Sequence, residues 1–136
     1  MANEDLKKKM AGKIEEGDFG PEDLPDYMKL FCEICNESDD VQEEAEGVNL
    51  KFQFVLEGGN PFWLQIADGK FTGAEGTIAN PDNTLRASLK DGAMILTGAK
   101  DATGAYQSGA LKVEGELPNA VKLRTFIEIV RDEIED

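Results

Sequence analysis

The chain has 136 residues, of which 14 are basic and 28 are acidic, so its net charge is −14. A chain of this length predicts a single domain that buries a substantial apolar core. Its negative charge argues against nucleic acids and anionic membrane surfaces as partners, because both would repel it.

Helical periodicity characterises the first third of the chain. Apolar residues recur every four positions from Leu6 and predict a helix that ends near Gly17. Pro21 and Pro25 bracket the start of a second helix, and Ser38 is a candidate N-cap for a third. Residues 1–47 carry a net charge of −10, against −4 for residues 48–136. We therefore predict an acidic helical extension over residues 1–46.

Beyond this extension the apolar period changes to two residues, which is typical of strands. In the first strand Phe52 and Phe54 belong to the inward face and Gln53 to the outward face. Asp68-Gly69 predicts a hairpin turn, and Leu85 to Leu89 predict a further strand. Short helical stretches follow, then a last strand and a final helix. Residues 47–136 thus predict an α+β domain, with a five-stranded, mostly antiparallel sheet and helices packed on one face. With the extension it forms one compact unit.

The chain contains no histidine. This excludes Ser-His-Asp and Cys-His catalytic sites and removes the commonest metal ligand. The glycines also form no phosphate-binding motif. The sequence therefore predicts a protein that is not an enzyme and that has no cofactor and no metal site.

One motif is of a kind that carries out chemistry in other proteins, because Cys32 and Cys35 form a Cys-x-x-Cys pair. Such pairs act in redox proteins or supply half of a zinc site. Here the pair lies inside a predicted helix, and no second pair completes a zinc site. The favoured interpretation is that both cysteines pack as small apolar residues, with a thiol redox protein as the alternative.

From about Asn49 to Phe126 a series of short motifs follows a familiar order. FWLQIADGKF is an aromatic-led strand that ends in an Asp-Gly hairpin. TLRASLKDGAMILTGAKDATGAYQSG holds a strand, a short helix, Thr-Gly and a helix of small residues. GALKVEGELPNAVKL is a glycine-bounded strand that leads into a helix. In this order the motifs resemble the sterol carrier protein type 2 (sterol-binding) domain family, in a single-domain, prokaryotic-like form.

The resemblance implies a sterol-carrier-protein-like fold with an apolar tunnel between sheet and helices. Such a tunnel takes up fatty acyl chains, sterols or isoprenoid-like lipids. Glycines and alanines between residues 98 and 115 predict thin walls beside bulky side chains, which suits a pocket. The residues predicted to line it are Phe52, Phe54, Phe62, Leu64, Met94, Ile95, Tyr106, Leu111, Val113, Leu123, Phe126 and Ile127.

The final helix carries a more detailed expectation. Phe126 and Ile127 are expected to line the ligand space, while Val130 and Ile134 mainly seal it. If Phe126 borders an open space, Phe126→Ala should alter lipid binding. It should also cost less than the roughly 3–5 kcal/mol of a fully packed site.

The sequence therefore predicts a non-catalytic binding or carrier protein for lipids or other hydrophobic small molecules. The alternative is an interaction module whose acidic N-terminal segment binds a basic protein partner and whose cavity is vestigial. No apolar run reaches the roughly 18 residues that span a bilayer, and the polar N-terminus has no signal segment. A cytoplasmic protein without membrane insertion is expected.

Overall fold

The computed structural model describes residues 4–17 and 19–135, and in these it contains six α-helices and five strands. A 3₁₀ turn, Pro21–Asp23, precedes the second helix. The helices are α1 Glu4–Glu16, α2 Leu24–Glu37, α3 Asp39–Glu44, α4 Leu89–Leu96, α5 Ala102–Ser108 and α6 Leu117–Glu135. The strands are β1 Leu50–Glu57, β2 Phe62–Ala67, β3 Lys70–Glu75, β4 Asn83–Ser88 and β5 Lys112–Glu114.

Side-chain caps fix several helix starts. Ser38 accepts a hydrogen bond from the Val41 N–H at the start of α3, as its position predicts. Ser88 caps α4 in the same way, accepting from the Asp91 N–H at 3.0 Å. Leu89 is therefore the first residue of α4, and its prediction as the end of a strand is wrong. Local capping ends the alternating pattern one residue earlier than apolar periodicity indicates.

The strands form one sheet in the order β3-β2-β1-β4-β5. Three of the four neighbouring pairs are antiparallel, and β1 with β4 is parallel. The prediction of an α+β fold with a mostly antiparallel sheet is thus confirmed. The parallel pair arises because the chain leaves β3 and crosses to the far side of β1 before β4 begins.

Gln53 anchors this crossing segment. Its Nε2 donates to the carbonyl oxygens of Phe62 and Gly76, and its Oε1 accepts from the Ile78 N–H at 2.9 Å. Although Gln53 belongs to the outward set of alternating residues, only 6% of it is exposed. The crossing segment therefore covers part of the outer face of the sheet.

The N-terminal helices contribute to the same apolar core as the sheet. Met10, Leu24 and Phe31 are buried in it, and the buried Tyr27 donates its hydroxyl hydrogen to the Leu96 carbonyl oxygen at 3.0 Å. The apolar stripe of α6 is also buried there. The division of the chain at residue 46 stays a prediction. Within the described residues, no helix combines the length and the apolarity needed to cross a bilayer.

Asp23 joins α1 to the start of α2. Its Oδ2 accepts hydrogen bonds from the Gly20 N–H at 3.0 Å and from Lys13 Nζ at 3.1 Å. Burial raises the pKa of this carboxyl group, but the Gly20 N–H and the Lys13 ammonium outweigh burial and hold the pKa below its ordinary value. The carboxylate is therefore the form that the fold stabilises.

Candidate functional site

An apolar cavity of about 170 Å³ lies between the sheet and the helices α4, α5 and α6. Its floor is formed by alternate residues of two adjacent strands, Phe54 and Leu56 of β1 with Leu85 and Ala87 of β4. The helices supply the remaining walls, together with Leu111 and Val113 next to them in the chain. Apart from Thr103, Tyr106 and Arg124, every residue in this wall is apolar.

Small residues create the space. Ala87, Ala102 and Ala120 line the cavity where larger side chains would fill it. Gly92 serves another purpose, because a Cβ at that position would overlap Leu56. Glycine therefore lets α4 approach β1 closely, and the cavity lies beside this contact.

Seven of the twelve residues predicted to line the tunnel lie in the cavity wall. They are Phe54, Ile95, Tyr106, Leu111, Val113, Leu123 and Ile127. The structure thus brings together residues from β1, α4, α5, β5 and α6. A ligand-contacting role for these seven residues stays a prediction.

The other five predicted residues lie outside the cavity wall. Phe62 and Leu64 are on β2, which borders β1 on the side away from β4. Phe52 is fully buried two residues before the part of β1 that reaches the cavity. Met94 is on the outer side of α4 and is 38% exposed.

Phe126 is the most informative of the five. It is fully buried, and its ring meets the Phe71 ring edge-to-face, with the centroids 5.2 Å apart. The buried stripe of α6 is wide enough to border two regions, and Phe126 lies on the side of β3 while Leu123 and Ile127 reach the cavity. The structure therefore places Phe126 in close-packed core.

The cavity opens at an apolar rim. Tyr106 of α5 and Leu117 and Val121 of α6 line it, although they are 43%, 44% and 59% exposed. Leu117 and Val121 were not predicted to line the cavity. Their spacing of four positions at the start of a helix is equally typical of a buried stripe, so the sequence gives no sign that they lie at an exposed rim. Exposed apolar side chains around an apolar cavity are typical of a binding site rather than of ordinary core.

Of the described residues, Arg124 is the single one with a charged side chain in the cavity wall. Its Nη2 lies 3.3 Å from Asp101 Oδ1, and its Nε lies 3.2 Å from Glu128 Oε1. The Nε–H is buried and donates no well-aligned hydrogen bond to any described residue, despite this short distance to Glu128. Arg124 is not among the residues predicted from the sequence to line the tunnel, because a lysine or arginine on a helix is usually a solvated surface residue.

The surroundings of the two cysteines disfavour the reactive thiolate form. Both are free thiols in α2, with Cys35 buried and Cys32 half-buried. Burial, aided by the nearby Glu33 carboxylate, raises the pKa of Cys32 to about 12, and burial raises the pKa of Cys35 as well. Both thiols are protonated near neutral pH, whereas redox chemistry needs the thiolate. Among the described residues, no three His, Cys, Asp or Glu side chains are placed to hold a metal ion.

Comparison with known proteins gives one family and a consistent fold. The sequence model described as the SCP-2 sterol transfer family matches residues 31–128. No curated protein sequence matches the chain significantly. The sterol carrier protein domain 2 of Helicoverpa armigera superposes with a TM-score of 0.67 at 22% identity, covering 87% of this chain and 97% of that one.

Two further structures share the fold. Palmitated SCP2L2 from Aedes aegypti has a TM-score of 0.56 at 20% identity, covering 74% of this chain and 89% of that one. The stereoselective inverting sec-alkylsulfatase Pisa1 from Pseudomonas sp. has a TM-score of 0.62 at 19% identity. That match covers 82% of this chain but only 16% of the sulfatase, so the fold occurs there as one part of a much longer protein.

Proposed function

The chain belongs to the SCP-2 sterol transfer family, as its motifs indicated, and from this membership and its apolar cavity we propose that it binds and carries a lipid. The ligand is a single-chain lipid or a comparable hydrophobic small molecule. The protein holds it without catalysing a reaction. The observation that carries the proposal is the apolar cavity with an open, exposed rim.

Burial of the ligand chain supplies the driving force. Each buried methylene group contributes about 0.8 kcal/mol, so a long acyl chain needs few directional contacts. A cavity of about 170 Å³ is smaller than the roughly 300–1,000 Å³ typical of ligand pockets, so binding must widen it. One relative with this fold is described as palmitated, which supports an acyl chain as ligand.

The short helix α5 is the wall best suited to move. It has seven residues, of which Ala105 alone is buried. Gly98 before it and Gly109 at its end both have positive φ, at 79° and 86°, which only glycine adopts readily. Few buried contacts hold this helix, so it can shift outward at low cost when a chain enters.

A cavity-filling variant tests the proposal. Ala120→Phe places a large side chain in the cavity wall, whereas Ala79→Phe makes the same change at an exposed loop position outside it. We expect the wild-type protein and Ala79→Phe to bind a fluorescent fatty acid probe, which added lipid displaces, and to release lipid on organic extraction. Ala120→Phe should lose at least tenfold in affinity while keeping its circular dichroism spectrum. Equal affinities for all three proteins, or no lipid binding by the wild type, would contradict the proposal.

A further inference from the structure

We propose that Arg124 binds the anionic headgroup of the lipid and makes this protein selective for acidic over neutral single-chain lipids. This inference rests on the proposed lipid-binding function and adds a residue that determines specificity. Its starting point is the mostly apolar wall of the cavity, where Arg124 is the single charged side chain within the part of the chain that the structure describes.

The position of Arg124 fits a ligand whose chain is inserted and whose headgroup stays at the rim. Arg124 lies about one turn of α6 beyond the rim residue Val121 and about two turns beyond Leu117, and it also contributes to the wall. Its side chain is 41% exposed although its Nε atom is buried, so part of the guanidinium group is accessible from outside. A chain in the cavity would therefore leave its polar end within reach of this group.

The guanidinium group has donors suited to a headgroup. Nε–H and one Nη2–H point along the same edge, an arrangement that matches the two oxygens of a carboxylate or phosphate. The Nε–H is buried beside Glu128 and makes no well-aligned hydrogen bond to a described residue, so a headgroup reaches this donor by displacing the Glu128 carboxylate. The partner of Nη2, Asp101, has a side chain that is 58% exposed, and Glu128 is 60% exposed. Ion pairs between such exposed groups contribute little, so a bound anion can displace them.

The charge distribution along the chain makes this place the least unfavourable one for an anion. Residues 89–128, which include all the wall residues from the helices and Glu128 beside Arg124, carry five basic and five acidic side chains and no net charge. The rest of the chain carries −14. An anionic ligand is thus repelled less by the segment that contains the rim than by the rest of the protein.

The test compares three ligands that share a sixteen-carbon chain: hexadecanoate, hexadecyl phosphate and hexadecanol. Dissociation constants are measured at pH 8 by displacement of a fluorescent lipid probe. The variants are Arg124→Gln, Arg124→Lys and Asp101→Asn. Arg86→Gln serves as the matched control, because Arg86 also pairs with a carboxylate, that of Glu114, but lies outside the cavity wall.

We expect Arg124→Gln to weaken the binding of hexadecanoate and of hexadecyl phosphate about tenfold or more, which is the effect of losing a hydrogen bond between charged groups. The dissociation constant of hexadecanol should change less than twofold. Arg124→Lys should fall between the wild type and Arg124→Gln, since it keeps the charge but loses the paired donors. Asp101→Asn should strengthen acid binding severalfold, and Arg86→Gln should have no effect. A phosphate preference that depends on Arg124 would identify a phospholipid-type headgroup, and a carboxylate preference a fatty acid.

The outcomes separate this inference from the proposed function. If hexadecanol binds and Arg124→Gln leaves both acids unchanged, the inference is wrong while lipid binding stands. If Arg124→Gln weakens the binding of the acids and of the alcohol equally, Arg124 is a structural residue and the inference is also wrong. If the wild-type protein binds none of the three lipids, both proposals fail.

Discussion

Two adjacent residues of α6 separate the close-packed core from the cavity. Phe126 is fully buried against Phe71 and lies outside the cavity wall, whereas Ile127 lines the cavity. We predict that Phe126→Ala destabilises the protein strongly and leaves lipid affinity unchanged. Ile127→Ala should destabilise it less and alter affinity. The structure thus reverses the expectation that the sequence alone gives for Phe126.

The magnitudes follow from what each side chain touches. A packed Phe→Ala substitution costs about 3–5 kcal/mol, and the edge-to-face ring pair places Phe126 in the upper half of this range. Ile127→Ala should cost about 2–3 kcal/mol, near the lower end for a core isoleucine, because part of its surface already faces open space. The widened cavity should strengthen binding of a sixteen-carbon chain about fourfold, the effect of burying one further methylene group.

The assay pairs urea denaturation with displacement of a fluorescent fatty acid. Domains of this kind are stable by about 5–15 kcal/mol, so Phe126→Ala can fall close to unfolding. Phe126→Leu is the milder companion variant, which keeps most of the apolar contact. A Phe126→Leu protein with changed lipid affinity, or a Phe126→Ala protein destabilised by less than about 2 kcal/mol, would refute the division between core and cavity.

Three further predictions concern residues away from the cavity. Native Cys32 and Cys35 should react with a thiol reagent at pH 8 at least tenfold more slowly than in urea, because burial keeps both thiols protonated; rapid native reaction would restore the redox alternative. Gln53→Leu should lower the free energy of unfolding in urea by about 2–4 kcal/mol, since two hydrogen bonds to the crossing segment and one to Phe62 of β2 are lost, and Gln65→Leu on β2 should change it by less than about 0.5 kcal/mol. Asp23→Asn should destabilise the protein at pH 7 but progressively less as the pH falls below about 4, because a carboxyl group with a lowered folded-state pKa stabilises the fold only above that range. A difference that persists unchanged at pH 3.5 in urea titrations would show that the Asp23 charge is not responsible.

Local signals in the sequence predicted most of the fold. The cap at Ser38 and the alternation of Phe52 and Phe54 depend on neighbouring residues, and the structure has both features as expected. The parallel pairing of β1 with β4 was not predictable from periodicity, because alternation fixes which face a residue is on and not which strand lies beside it. Gln53 shows the same gap, since its burial depends on a segment more than twenty residues further along the chain.

The candidate site was half predictable for a related reason. Helical spacing identifies the buried stripe of α6, but it does not say whether that stripe meets packed side chains or open space. Phe126 and Ile127 are both on the stripe and have different surroundings. Arg124 was missed because charge on a helix usually means solvent exposure. Its place in the wall became visible only when α5 and the sheet were positioned around it.

Large and small side chains are unevenly distributed between the sheet and the helices that cover it. The fully buried aromatic residues Tyr27, Phe31, Phe52, Phe71 and Phe126 all lie outside the cavity wall. The cavity is bordered instead by Ala87, Ala102 and Ala120, and by a short helix between two glycines with positive φ. Because close-packed aromatic residues supply most of the packing energy, the space between the helices and the β4–β5 side of the sheet can stay open without loss of the fold. The residues that contribute most to packing are therefore largely separate from those that line the cavity, so the cavity can widen around a lipid while the aromatic core stays intact.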